Sequence, residues 1–411
     1  MTIDAMNQKG VPPTVDIQSG WNIFDERAVF PVAILLQSKL RHNSLEMAEY
    51  CRAAGVSLAP HGKTTMSPQL FQMQVSDGAW GITAANVYQA KVMKESGVSR
   101  ILIANEVTMP SDIAWLAEQV AVNFDVTCYV DSILGVQLLE EGLQHNESDG
   151  QLKVLVELGV IGGRTGARTQ NEAVEIARAV AKTSFLQLAG VSGFEGIIGS
   201  TSDATAQDRV DHFLDLLSEL AALITENGLV PDLQEFIISA GGSVFFDRVV
   251  KRLSKIDLPL PIRVVIRSGC YLSHDDGVIN DLSPLGANQR IAGSPFEAAL
   301  EVWAPVLSRP EPERLILGAG KRDVSTDSYF PQAKKWVSHG SQSISEFPGQ
   351  PRATKVDDQH IYFDIGTECD VNVGDVVGLG ISHPCTTFDK WKYLLMVDDK
   401  YNVTSVITTR F

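Results

Sequence analysis

Between residues 40 and 290 the chain alternates short apolar, β-branched runs with longer stretches in which apolar residues recur every three or four positions. The first pattern suits a strand buried on both faces and the second a helix with one buried side, so the alternation predicts parallel strands joined by crossover helices. Eight such runs occur: VSLAP at 56–60, AWGIT at 79–83, RILIAN at 100–105, DVTCYVD at 125–131, LKVLVEL at 152–158, LAGVSGFEG at 188–196, EFIISAG at 235–241 and IRVVIRSG at 262–269. Eight βα units in succession predict an α/β fold of the closed (β/α)8 barrel type rather than an open sheet. The punctuation agrees, since Asn86 is placed to cap a helix that stops before Gly97, and Pro110-Ser111 opens another.

After about residue 290 the pattern changes to dense Pro, Gly and charge with short alternating runs such as RLILGAG, HIYFDIG, DVVGLGI and YLLMVD. This predicts a small β domain over 291–411, following a barrel over 37–290. Segment 320–358 has the least regular pattern and is expected to form surface loops. Residues 1–36 contain the apolar run VFPVAILL, which is expected to cross over and add a strand to the carboxy-terminal domain.

Composition narrows the class. With 411 residues, 44% of them hydrophobic and 20% charged, the chain has the makings of two domains with sizeable cores. A formal charge of −16 repels phosphate backbones and anionic lipid, so neither nucleic acid nor membrane is an expected partner. The amino terminus lacks a basic segment followed by an apolar one, and five cysteines without a CxxC pair suit reduced thiols, so a cytoplasmic protein is expected.

Chemistry in such a barrel sits where strands end, and the first strand ends in Pro60-His61-Gly62-Lys63-Thr64-Thr65. A lysine there projects its amine into the barrel mouth, where desolvation favours the neutral amine that imine chemistry needs. Two glycine-rich strand ends, Ser239-Ala240-Gly241-Gly242-Ser243 and Arg267-Ser268-Gly269-Cys270-Tyr271, can present backbone NH groups to an anion. Near the carboxy terminus, His383 and Cys385 lie two residues apart in Ser382-His383-Pro384-Cys385-Thr386-Thr387. On extended backbone their side chains point to the same side, which suits a borderline-soft divalent ion such as zinc. Read from the residues alone, a buried thiol beside a hydrogen-bonded histidine is the better reading of the pair.

The stretch from Pro60-His61-Gly62-Lys63-Thr64 through RILIAN resembles the cofactor-binding region of the fold-type III pyridoxal 5'-phosphate enzymes, and the resemblance runs in order over roughly 25–400. It is closest to the branch of D-serine dehydratases, D-threonine aldolases and 3-hydroxyaspartate lyases, whose signature reads PH-x-KTHK; here Thr65 and Met66 replace the final HK. The resemblance implies that Lys63 carries the cofactor as an imine and then takes the Cα proton of a small D-amino acid. It implies phosphate contacts from the NH groups of Gly241, Gly242, Gly269 and Cys270, with the Ser243 hydroxyl and Tyr271 beside them. Arg164 resembles the arginine near the cofactor's phenolic oxygen, and Arg267 the one that alanine racemases aim at the pyridine nitrogen. Phe194 replaces a tyrosine common in the branch.

D-serine dehydratases of this branch hold zinc with a His-x-Cys pair and the aldolases with His-x-Asp, so His383 and Cys385 are the implied metal ligands. The expected activity is loss of water and ammonia from a D-3-hydroxyamino acid, with D-serine the simplest case. An aldolase acting on D-threonine or 3-hydroxy-D-aspartate is the alternative, followed by a racemase using Tyr329 and by a cofactor carrier without turnover. A head-to-tail homodimer is also implied. His274-Asp275-Asp276 reads as a solvated turn; His145, His212 and His339 read as surface residues, and His360 as a possible site contact.

Overall fold

The structure is a computed structural model that describes residues 8–12, 20–25, 27, 29–199, 201–230 and 233–411. Two compact units emerge, one made of Met47–Lys63 and Phe71–Gly269, the other of Met1–Glu46, Thr64–Leu70 and Cys270–Phe411.

After strand β1 (Val32–Leu36), which belongs to the second unit, the first unit contributes eight strands. They are β2 (Ser57–Leu58), β3 (Ile82–Ala84), β4 (Arg100–Glu106), β5 (Asp125–Val130), β6 (Leu152–Leu158), β7 (Leu186–Gly193), β8 (Phe236–Ala240) and β9 (Ile262–Ile266). All neighbours are parallel, in the order β2-β9-β8-β7-β6-β5-β4-β3. The ring closes where His61 bridges to Thr83, with Trp80 N donating to Leu58 O at 2.7 Å and Thr83 N to Pro60 O at 2.9 Å. This is the expected (β/α)8 architecture. Ala59, Leu102, Tyr129, Leu155, Ala189, Ile237 and Val265 fill the interior, so the barrel is a packed core with chemistry confined to its ends.

Asn86 caps the helix Val87–Glu95 by accepting from Gln89 N, and Gly97 follows its end at φ 84°. At Pro110–Ala121 the proline occupies the first turn and Met109 the cap position; Ser111 lies within the helix instead of capping it.

The second unit adds β10 (Leu300–Glu311), β11 (Arg314–Leu317), β12 (Gln332–Val337), β13 (Ile344–Glu346), β14 (Arg352–Val356), β15 (Ile361–Asp364), β16 (Val376–Gly380), β17 (Tyr393–Val397) and β18 (Val403–Thr408). β1 lies between β10, antiparallel to it, and β17, parallel to it. Its alternate residues Ile34 and Leu36 share a core with Trp303, Leu395 and Val397, which Val11, Trp21 and Ile23 from the amino-terminal segment complete. Residues 1–7 and 13–19 of that segment lie outside the described residues. Segment 320–358, expected to be loops, contains β12, β13 and β14. A register shift between Ala333 and Lys335 breaks the alternation of β12 and hides the strand in the sequence. Among the described residues no helix is long and apolar enough to cross a membrane.

Candidate functional site

After β2 the chain makes one 3-10 turn, Gly62–Thr64. A Cβ on Gly62 would lie 2.5 Å from Met93 Cε and 2.9 Å from Ile82 Cγ2, so glycine lets the backbone sink into the barrel wall while the next side chain, Lys63, stays exposed. His61 is held by its own N–H donating to Arg267 O at 3.2 Å, and its Nδ1 is buried without a hydrogen-bond partner among the described residues. Burial first, then the cationic Lys63, Arg267 and Arg164, hold this imidazole well below its ordinary 6.5. The structure thus gathers three of the sequence-predicted residues around a neutral histidine that had no assigned role. Three cations and a stackable ring fit an anionic aromatic cofactor such as pyridoxal phosphate.

Arg267, 6% exposed, follows β9 and reaches across the strand ends. Nη1 donates to Ser239 Oγ at 2.7 Å and Nη2 to Gly193 O at 2.8 Å, so β7 and β8 fix the guanidinium plane. Gly241 N and Gly242 N do converge on an anion, but it is the carboxylate of Glu195, at 3.0 and 2.6 Å. Glu195 is fully buried, and a buried carboxyl group requires hydrogen-bond partners of this kind. These two NH groups are therefore engaged within the protein. Gly269 is buried, and Ser243 and Cys270 are partly exposed. Tyr271 is 2% exposed, its ring tilted against Phe296 at 6.0 Å, which makes it a core residue of the second unit.

Arg164 lies on the loop after β6, its guanidinium 4.5 Å from the centre of the Phe194 ring. The aromatic face that replaces tyrosine thus supports an arginine. Three carboxylates missed in the sequence cluster at neighbouring strand ends: Glu106 ends β4, Asp131 follows β5, and Glu157 lies near the end of β6. Burial first, then Glu157 and Asp131, push the Glu106 carboxyl up to about 8.

In the second unit, His383 and Cys385 do not lie on a strand. Pro384 has helical dihedrals, φ −61° and ψ −36°, and Cys385 opens the short helix Cys385–Phe388, so a turn rather than a pleat brings the two side chains to one side. His383 Nδ1 lies 2.7 Å from Asp327 Oδ2, which leaves Nε2 as the nitrogen free to meet a ligand or Cys385. Ser325 Oγ accepts from His383 N at 3.3 Å and Thr387 Oγ1 from Ser325 N at 3.0 Å, locking the two segments together. Cys385 Sγ lies 3.3 Å from Thr64 Oγ1 and 3.4 Å from Cys270 Sγ. Hydrogen bonding to Cys385 and Asp327 raises His383 to about 9, while Cys270, His383 and Thr64 hold the Cys385 thiol well below its usual range. An imidazole braced by a carboxylate beside a readily ionised thiol is a donor set suited to a divalent ion. Among the described residues no group of three or more His, Cys, Asp and Glu is arranged to hold a metal.

Asp327 escaped the sequence reading because it lies 56 residues from His383 with no local pattern to mark it. Two other carboxylates have partners of their own: Asp323 pairs with Lys9 at 2.7 Å, and Asp389 with Lys390 at 3.4 Å. His274-Asp275-Asp276 is not a solvated turn: His274 is 1% and Asp275 3% exposed. The Asp275 carboxylate accepts from Gly277 N, Ile279 N and Asn280 N, which buries the turn as a helix-start anchor. His145, His212, His339 and His360 are exposed. Tyr329 is 48% exposed, its N–H donating to Ser382 Oγ.

Known proteins place this geometry. Residues 36–230 match the alanine racemase N-terminal domain, and residues 299–397 the putative serine dehydratase domain. The chain is 27% identical over 313 residues to the 3-hydroxy-D-aspartate aldolase of Paracoccus denitrificans (strain Pd 1222), covering 73% of this chain and 74% of that one. The crystal structure of D-threonine aldolase from Filomicrobium marinum superimposes with a TM-score of 0.77 at 22% identity, covering 98% of each chain. D-threo-3-hydroxyaspartate dehydratase from a Delftia species does so with a TM-score of 0.71 at 19% identity, covering 93% of this chain and 97% of that one. A lysine at the end of the first barrel strand, cations gathered around a neutral imidazole, and these two domain matches in order agree: the chain is similar to the fold-type III pyridoxal phosphate enzymes, with an alanine racemase-type barrel and a serine dehydratase-type second domain.

Proposed function

We propose that this protein is a lyase that holds pyridoxal phosphate on Lys63 and removes water and ammonia from a small D-3-hydroxyamino acid, D-serine being the simplest case, with a divalent ion, zinc by its ligands, on His383 and Cys385. The observation that carries the reading is the His383–Cys385 pair braced by Asp327. A base at Cα alone serves many reactions; a Lewis-acid site beside it is needed where hydroxide must leave.

When bound, the cofactor supplies an electron sink for the pair released at Cα, and the ion supplies Lewis acidity toward the β-hydroxyl. The chain's own groups do the rest. Lys63 Nζ takes the Cα proton. Arg267, fixed by Ser239 and Gly193 O, and Arg164, laid on Phe194, present guanidinium groups that would hold an anionic ring and its substituents. Asp327 keeps His383 turned with Nε2 outward.

A second reading, cleavage of Cα–Cβ in D-threonine or 3-hydroxy-D-aspartate, is favoured by the aldolases to which the chain is similar. The protein incubated with D-serine, D-threonine and D-alanine, with and without excess chelator, separates them. Chelator-sensitive 2-oxo acid from D-serine supports the dehydratase. Glycine with aldehyde from D-threonine supports the aldolase, and L-alanine from D-alanine a racemase. Turnover as fast in excess chelator, by protein without stoichiometric metal, would sink the metal-assisted mechanism.

A further inference from the structure

We infer that Arg168 is a positioning residue that sets the loop presenting Arg164 to the cofactor; the inference rests on the reading that Arg164 meets bound pyridoxal phosphate. The loop leaves β6 at Leu158 and returns at once, with Gly159 N donating to Ala167 O at 2.9 Å and Ala167 N to Glu157 O at 2.8 Å. Between these bonds four successive carbonyls, those of Gly163, Arg164, Thr165 and Gly166, turn toward one point. A loop has no ladder of NH groups to satisfy them. The Arg168 guanidinium occupies that point: Nη1 donates to Thr165 O at 2.8 Å and Gly166 O at 2.7 Å, and Nη2 to Gly163 O at 3.3 Å and to Arg164 O.

The surroundings are shaped for this fork. A Cβ on Gly159 would lie 2.4 Å from Arg168 Nη1, and Gly166 takes φ 97°, so two glycines make the space. Asp131 Oδ2 accepts from Gly166 N at 3.1 Å and pins the loop from the side of β5. The arginine's own backbone is anchored, because Arg168 N and Thr169 N both donate to Glu172 Oε2 at the capped start of the helix Gln170–Lys182. A rigid helix start therefore holds Arg168, Arg168 holds the carbonyl of Arg164, and the Arg164 side chain rests on Phe194. With both terminal nitrogens committed to carbonyls, Arg168 does not itself serve as a cofactor ligand. Lysine, a point charge without the planar fork, cannot reproduce the four bonds.

The test compares Arg168→Ala, Arg168→Lys, Arg164→Ala and the double variant Arg164→Ala/Arg168→Ala. Pyridoxal phosphate affinity is measured by equilibrium dialysis, the pH midpoint of the bound cofactor's visible absorbance by titration, and the melting temperature without cofactor. The expected result is that both Arg168 variants weaken binding about tenfold, the scale of a lost charge-assisted hydrogen bond, and move the midpoint in the same direction as Arg164→Ala. The double variant should bind no worse than Arg164→Ala alone. Should Arg168→Ala not fold, Arg168→Lys carries the test. If Arg164→Ala changes affinity and midpoint while the Arg168 variants lower only the melting temperature, Arg168 is a structural residue and the inference is overturned. If Arg164→Ala changes neither, the reading of Arg164 beneath it has failed and the inference falls with it.

Discussion

Two groups of barrel strand ends solve opposite electrostatic problems. After β2, β6 and β9, Lys63, Arg164 and Arg267 surround the His61 imidazole and keep it unprotonated. At the ends of β4, β5 and β6, Glu106, Asp131 and Glu157 crowd together and keep a proton on Glu106 to about pH 8. Each group stores an unusual protonation state, by burial first and by like charge second. The difference is in what each welcomes: the cationic group gains from an anionic cofactor, whereas the acidic group repels one and retains a proton near neutrality. A (β/α)8 scaffold makes this division possible because each strand end is supplied by a different segment of chain.

The largest expected effect removes Lys63, the cation proposed to hold the cofactor covalently. Lys63→Ala should lose all visible absorbance near 410–430 nm, an approximate range for a protonated pyridoxal imine, and all borohydride-fixed cofactor mass. A band that persists and is still reducible onto the chain would identify another lysine. Next comes Arg267→Met, which leaves Gly193 O and Ser239 Oγ buried without their donor. The expected loss is about 1–3 kcal/mol of stability, read by urea unfolding, together with weaker cofactor binding. Unchanged affinity in a folded variant would detach Arg267 from the cofactor.

Smaller effects distinguish the two groups by sign. Glu106 is raised in the fold, so its contribution to stability is complete below its ordinary 4.5 and is lost as pH rises through about 8. Glu106→Gln should flatten the fall in melting temperature between pH 4.5 and about 8 by a few degrees; an unaltered slope in that window would show that the carboxyl is ionised and solvated in the fold. His61 is depressed, so its contribution is complete above pH 6.5 and is lost as pH falls below it. His61→Gln should flatten the fall below pH 6.5 and leave the slope between pH 6.5 and 8 alone. Both slopes changing together in either variant would mean that the groups are not separate.

Much of the barrel was legible because each βα unit is local: a strand, its turn and its helix announce themselves within some thirty residues. Lys63 was legible for the same reason, at the end of a short run with a glycine beside it. Arg168 was within reach too, since Gly159, Gly166 and a basic residue ahead of the Thr169 cap all stand within ten positions; what the sequence does not display is the direction of four carbonyls. The Asp327–His383 contact and the Cys270–Cys385 approach span 56 and 115 residues, and no periodicity encodes them. The Glu195 carboxylate under Gly241 and Gly242 was equally hidden, because a glycine-rich strand end looks the same whichever anion it faces. β12 was missed where the register shift between Ala333 and Lys335 interrupts the period on which strand recognition depends.

The position of β1 has a consequence for the order in which the protein is made. The barrel strands follow one another along the chain, so each can pair soon after it is synthesised. β1, five apolar residues with both edges open, precedes its neighbours β10 and β17 by about 270 and 360 residues. For most of translation it is a sticky, unpaired strand of the kind that chaperones bind and aggregates recruit. A nascent chain stalled before Tyr393 therefore exposes VAILL along one edge, even if its barrel is complete.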